Sequence, residues 1–193
     1  MLQTAPPKRY QLRLELRLKD GTPVHVRTLR PRDRILLAQG FQRLSSQSRR
    51  FRFLAPLRRL TSSQLAVLTD VDQVNHVAIG AQDTGRVGRP GVAVARFIRS
   101  EMDPTAAEFA LTVVDEYQHR GLGTLLLELL LEAARKMGVR TLRGYVLPDN
   151  IAMIRLLDRM GASWSRAWGE VLAAELPVHA PVPLAGKPSR TAP

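Results

Sequence analysis

The run Gln118-His119-Arg120-Gly121-Leu122-Gly123-Thr124 decides how this chain is read. Before it, residues 107–114 (Ala-Glu-Phe-Ala-Leu-Thr-Val-Val) read as a strand. After it, residues 121–137 carry the clearest helical pattern in the chain. Leu125, Leu126, Leu129, Leu130 and Ala133 recur at spacings of three and four and share a face. Gly138 ends that helix. A helix N-terminus leaves backbone N–H groups without partners and carries partial positive charge. Glycines at 121 and 123 remove the Cβ atoms that would keep an anion at a distance. The run is therefore a candidate cradle for a diphosphate, the competing reading being a tight strand-to-helix turn.

Two nucleotide-binding loops of similar composition fit badly. A Walker loop needs Gly-Lys-Ser/Thr, but Thr124 and Leu125 follow Gly123. A dinucleotide fingerprint needs a third glycine, where this chain has Leu126. It also needs an acid about twenty residues on, and the sequence around 143 reads Arg-Gly-Tyr-Val. The loop also comes late, with several strands before it.

Working outward toward the N-terminus, Leu12, Leu14, Leu16 and Leu18 alternate with Arg13, Glu15 and Arg17, the period of a half-buried strand. Asp20-Gly21 turns the chain into Val24-His25-Val26-Arg27, a hairpin. Pro31 opens a helix over 31–44, residues 45–60 form a short helix and a loop, and Thr61 or Ser62 caps a helix ending at Thr69. Strands follow at 74–81 and 91–99, with a turn at 85–91. Beyond the central helix come a strand (140–146), a helix (150–160) stopped by Gly161, and two strands within 163–176. Residues 177–193 hold five prolines and read as a disordered tail. The pattern divides the chain into a basic strand or hairpin extension (1–23), one α/β (α+β) domain (24–176) and that tail, without internal repeats.

Composition narrows the function classes. At 193 residues, 45% hydrophobic and 24% charged, the chain suits one globular domain. No apolar run reaches the roughly 18 residues of a membrane span. Met1–Tyr10 lack the apolar core of a signal peptide, so a cytoplasmic location is expected. Cysteine is absent, which removes disulfides and thiolate metal sites, and no metal is expected. Residues 1–60 carry 15 Lys or Arg against the acids Glu15, Asp20 and Asp33, which is the whole formal charge of +12. That asymmetry fits either an anionic partner or a solvated basic face. Aromatics at 5% are too few for base-stacking modules, which argues against nucleic acid.

Gln118-x-x-Gly121-x-Gly123 resembles the Gln/Arg-x-x-Gly-x-Gly/Ala loop of the GNAT acetyltransferases. Asn150, Met153, Leu156 and Gly161 resemble that family's later Asn-helix-Gly segment, so the likeness covers about residues 24–176. Residues 103–108 (Asp-Pro-Thr-Ala-Ala-Glu) and Leu147-Pro148-Asp149-Asn150 are most similar to the Pat-type protein lysine acetyltransferases. The resemblance implies a GNAT fold: a mixed, mostly antiparallel sheet of six to seven strands flanked by helices, with a V-shaped splay for coenzyme A. It implies acetyl-CoA as co-substrate, with the amides of Gln118, His119, Arg120, Gly121, Leu122, Gly123 and Thr124 on its diphosphate. Leu111, Val113 and Val114 would offer backbone groups to the pantetheine arm, and Asn150 and Met153 would border it. The amide of Val113 or Val114 would polarise the thioester carbonyl.

Glu108 is the candidate general base. It lies between Ala106 and Ala110 on one strand face, where partial burial would raise its pKa, and the matching Glu of Pat-type enzymes is the proposed base. The competing reading is an edge acid facing water. Asn150 is also a plain helix cap, and His76 is either an acceptor-pocket residue or a packed core histidine. Arg120 meets either a phosphate or solvent. One departure stands out: Leu157 occupies the position where many GNAT enzymes carry the Tyr proposed to protonate the leaving thiolate. Three functions remain open. The first is acetylation of a protein lysine, on a partner such as an acyl-CoA synthetase. The others are acetylation of a small-molecule amine or antibiotic, and a CoA-binding regulatory or nucleic-acid-associated protein without turnover.

Overall fold

The computed structural model describes residues 8–178. The strands are β1 (Arg13–Arg17), β2 (Pro23–Thr28), β3 (His76–Asp83), β4 (Gly91–Arg99), β5 (Ala106–Val113), β6 (Thr141–Val146), β7 (Ser163–Arg166) and β8 (Leu172–Pro177). The helices are α1 (Arg34–Gln42), α2 (Ser46–Phe53), α3 (Ser62–Thr69), α4 (Leu122–Lys136) and α5 (Ile151–Arg159). All eight strands form one sheet in the order β1-β2-β3-β4-β5-β6-β8-β7. This is one strand more than the upper expectation. The added strand is β1, which the basic extension contributes by pairing from Arg13↔Arg27 to Arg17↔Pro23.

Each element has a local cause. Leu14 and Leu16 are half-buried while Arg13, Glu15 and Arg17 are exposed, as the period of two requires. The helix expected over 31–44 begins as a 3-10 turn at Pro31–Asp33. There the buried Asp33 carboxylate accepts from the Arg30 N–H (2.8 Å) and takes a two-point contact from Arg27 (2.6 and 2.7 Å). Burial alone would raise that carboxyl, but the Arg27 guanidinium and the Arg30 amide hold it below its ordinary range. Thr61 caps α3 through a capping box with Gln64. A 3-10 turn at Asp115–Tyr117, absent from the sequence reading, joins β5 to the glycine loop.

Helix α4 covers one sheet face over β3, β4 and β5. It buries Leu122, Leu126, Leu127, Leu129, Leu130, Ala133 and Ala134 there. Leu125, expected on that face, is only half-buried. Each leucine so buried contributes about 2 kcal/mol. Helices α1 and α2 pack against the sheet at β4 and β5 respectively, and α3 packs on α1.

The feature that positions the site is a split in the sheet. Every neighbouring strand pair is antiparallel except β5 and β6. Those two pair in parallel only at Ala106↔Thr141, Ala107↔Leu142 and Glu108↔Arg143. Past Glu108 the strands part, giving the expected V. The buried Phe109 ring lies across Gly144, where any Cβ would come within 2.5 Å of the ring. Glycine at 144 is what lets that ring sit at the apex.

Pro177 closes β8 opposite Thr141, and the Val178 N–H donates to the Arg140 carbonyl. Pro177 and Val178, read as part of a disordered tail, are thus tied to the sheet, and residues 179–193 lie outside the described residues. No helix among the described residues is long and apolar enough to cross a membrane.

Candidate functional site

The V opens into a groove of about 490 Å³. The β5 side contributes Phe109 to Val113, the β6 side Gly144 to Val146, and the glycine loop closes one end. Asn150, Met153 and Leu156 of the α5 region complete that end.

The loop is shaped as an anion cradle. None of the amides of residues 119–124 donates to an acceptor among the described residues, and the first helical bond of α4 runs from Leu125 N–H to the Gly121 carbonyl. Six consecutive donors are therefore open at the positive end of a 15-residue helix. Gly121 has φ +85°, and His119 is also left-handed at φ 60°. Tyr117 pins the loop: its buried hydroxyl donates to the Asp83 carboxylate at 2.7 Å, while Arg43, Arg86 and Arg120 flank its ring. Burial and the Asp83 carboxylate push the Tyr117 phenol up, so it stays a donor. The Gln118 amide group donates to the Val113 carbonyl (3.1 Å) and the Ser48 hydroxyl (3.3 Å), tying the loop to β5 and α2.

The β5 backbone splits its hydrogen bonding between two directions. Along an antiparallel strand, alternate residues address opposite neighbours. The Val114 N–H donates to Val92 of β4 (2.9 Å), so the N–H and C=O of Leu111 and the N–H of Val113 face the gap beside β6, the Val113 carbonyl being taken by the Gln118 amide group. They are the open backbone positions. Val114 is a correction: its amide is used by β4 and its side chain is buried, so it offers nothing to the groove.

These features, an eight-stranded sheet split beside a glycine-cradled helix, coincide with a family match. Residues 48–162 match the Acetyltransferase (GNAT) family. The chain belongs to the GNAT acetyltransferase family. It is 34% identical over 165 residues to acetyltransferase Pat of Mycolicibacterium smegmatis, covering 86% of this chain and 49% of that protein. It is 32% identical over 146 residues to an acetyltransferase of Pseudomonas aeruginosa, covering 75% of this chain and 77% of that one. The solved GNAT domain of S. lividans PAT superposes with a TM-score of 0.78 at 28% identity, over 86% of this chain and 96% of that one. The chain spans about half the length of the Mycolicibacterium relative.

Placed on this GNAT frame, most sequence-predicted positions converge. Leu111, Val113, Gln118, His119, Gly121, Gly123, Thr124, Asn150 and Met153 all border the groove. Leu122 does not: its side chain is fully buried under α4, leaving only its amide for the loop. Arg120 turns away to pair with Asp20 at 2.8 Å. Asn150 caps α5 by accepting from the Met153 N–H (3.3 Å) while also bordering the groove. Glu108 sits at the last paired position before the split and, unlike Phe109 beside it, does not border the groove. It is exposed, so the partial burial expected of it is not found. His76 lies 3.2 Å from Arg96 Nη1 rather than in the groove, and burial, helped by Arg96, pushes its pKa down to about 4. Leu157 is fully buried and does not border the groove.

Sequence reasoning missed several groove residues, three of which bear on the chemistry. Lys19, at the turn of the β1–β2 hairpin, borders the groove with its aliphatic stem beside Gly121. The Asp20–Arg120 pair holds that hairpin against the loop. Tyr145 of β6 borders the groove and packs on Trp168, with ring centroids 4.7 Å apart. Arg52 of α2 reaches the groove from the other side. No local sequence signal marks any of them, since each is brought in by a distant element.

Proposed function

We propose that this chain transfers an acetyl group from acetyl-CoA to the side-chain amine of a lysine on a protein. The row of open amides from 119 to 124 at one end of the groove carries the reading; Glu108, one residue outside the lining at the last β5–β6 pair, is the proposed base. The residues fit the coenzyme. The loop amides and Lys19 offer donors to its diphosphate, and Leu111 and Val113 offer strand-like pairing to its pantetheine amides. Coenzyme A supplies the activated thioester; the chain supplies orientation and proton transfer.

A lysine amine has a pKa near 10.4, so about one in 10³ is neutral at pH 7. Deprotonation costs on the order of 4–5 kcal/mol, part of which a positioned base recovers. The amine nitrogen attacks the thioester carbon, the C–S bond breaks and the thiolate leaves. The nitrogen's proton passes to the Glu108 carboxylate, directly or through water. The Val113 N–H, facing the gap, is placed to polarise the carbonyl oxygen. With Leu157 buried, the thiolate leaves unassisted, as a thiol pKa near 8.5 allows, or takes a proton from the Tyr145 phenol.

Groove chemistry favours a protein lysine over a polycationic small amine. The only acid bordering it among the described residues is Asp115, already engaged by Ser45 and Ser48. The basic residues of 1–60 would favour an acidic partner surface, such as one on a cytoplasmic acyl-CoA synthetase. Acetyl-lysines mapped by mass spectrometry after incubation with acetyl-CoA and lysate test the reading. Labelling is expected with the parent protein and strongly reduced with Glu108→Gln; no labelling by the parent would refute it.

A further inference from the structure

Behind the groove lies a second cavity, of about 90 Å³, between α1, α2, α3 and the opposite face of β3 to β5. By size it holds a few water-sized groups. Its walls are mostly apolar, including Leu37, Phe41, Leu44 and Phe53. Three guanidinium groups line it as well: Arg27, paired with Asp33, which also lines it, and those of Arg96 and Arg52. Arg96 of β4 is 97% buried, at 3% exposure. Its Nη1 donates to the Leu68 carbonyl (2.9 Å) and touches His76, while its other nitrogens donate to no described residue. Arg52 of α2 donates to none. Neither makes an ion pair with a carboxylate among the described residues, although every other arginine lining this cavity does.

Arg96 is buried and Arg52 beside it is half-buried, and two like charges set against an apolar wall are costly. Burial pushes the Arg96 pKa down to about 9, with Arg52 adding to the effect, and burial also lowers Arg52 against the pull of Glu108. A third polar group points the same way. The Thr112 hydroxyl is buried without a hydrogen-bond partner among the described residues. Thr112 pairs across from Val94 on the strand face that also carries Arg96. Arg52 and Thr112 border both this cavity and the groove, so the cavity meets the groove at these two residues.

We infer that Arg52, Arg96 and Thr112 form a subsite for a carboxylate carried on a short apolar chain by one of the reacting molecules. A carboxylate matches the paired guanidinium donors and the hydroxyl, and a few methylenes match the remaining wall. This deepens the transferase reading, on which it rests. The carboxylate has two sources: the far end of a dicarboxylic acyl group on coenzyme A, or the acceptor amine.

Three measurements on the intact chain separate these outcomes. First, calorimetric titration with propionate, without coenzyme A, gives a saturable signal expected to weaken at least tenfold in Arg52→Gln and in the near-isosteric Thr112→Val. Arg96→Met is a third variant, read only if circular dichroism shows that it folds. Second, the parent's kcat/KM for succinyl-CoA is compared with that for butyryl-CoA, which has the same carbon count without the carboxylate. Third, 6-aminohexanoate is compared with its amide as acceptor, using acetyl-CoA. A tenfold preference in the second measurement, lost in Thr112→Val, assigns the subsite to the acyl donor. The same result in the third assigns it to the acceptor. Absence of propionate binding together with no preference in either comparison overturns the subsite. Coenzyme A titrated alone reports on the groove separately: loss of that binding with propionate binding intact defeats the transferase reading and leaves the subsite standing.

Discussion

The groove and the cavity behind it are built from opposite materials. The groove is made largely of backbone: open amides at 119–124 and the gap-facing groups of Leu111 and Val113. The cavity is made of side chains, with Arg52, Arg96 and Thr112 set into an apolar wall. A backbone site reads a feature common to many ligands, a diphosphate and an amide arm, and tolerates change in the side chains around it. A side-chain site discriminates, because each polar group left unmatched in an apolar wall costs free energy. The molecule thus separates grip from selection, and the two are joined where Arg52 and Thr112 face both spaces.

Several changes would sharpen or break that contrast. The largest effect is expected at the apex, where Glu108→Gln should lower kcat by about 10² to 10³ with little change in KM. Steady-state kinetics on acetyl-CoA and a lysine peptide give the answer, and an unaltered kcat removes Glu108 from proton transfer. Next, Gly121→Val forces a β-branched residue to φ +85° and distorts the amide row. Its coenzyme A affinity, by calorimetry, should fall about 10²-fold while the helical circular dichroism signal persists. If affinity survives, the backbone does not do the gripping. At the wedge, Gly144→Ala puts a Cβ within 2.5 Å of the Phe109 ring and should cost about 1–3 kcal/mol in urea denaturation. The further change Phe109→Leu should return part of that.

Smaller effects test the side-chain contributions. Lys19→Met should weaken coenzyme A about tenfold at low salt, with the difference from the parent narrowing as salt rises. His76 gives the smallest. Its pKa is depressed from 6.5 to about 4, so it is neutral in the folded chain and charges more readily once unfolded. Its contribution is complete above pH 6.5 and declines as pH falls toward 4. Thermal melts across that range should show His76→Phe losing about 1 kcal/mol less than the parent. Equal losses would place the acid sensitivity elsewhere.

Much of the fold was legible because it is written in neighbouring residues. The alternation of Leu14 and Leu16, the three-four spacing within 121–137 and the stop at Gly138 each describe one element's own geometry. The errors lie where one element answers to another. The Val114 amide was a candidate donor until β4 claimed it. Glu108 read as half-buried because its neighbours are alanines, yet its side chain is exposed. Leu125 fits the helical stripe but is only half-buried.

The amino-acid order by itself determined the glycine loop, the helix behind it, the strand ahead of it and the family to which they belong. Those features depend on φ preferences and periodicity within a few consecutive residues. The tertiary structure alone decided where β5 and β6 part, which of Leu111, Val113 and Val114 keep open backbone groups, and that Lys19 reaches the loop from about a hundred residues away. It also decided that Arg52 and Arg96, from a helix and a strand 44 positions apart, share one apolar wall. Such convergence is set by how packed layers meet, which no short stretch of sequence encodes.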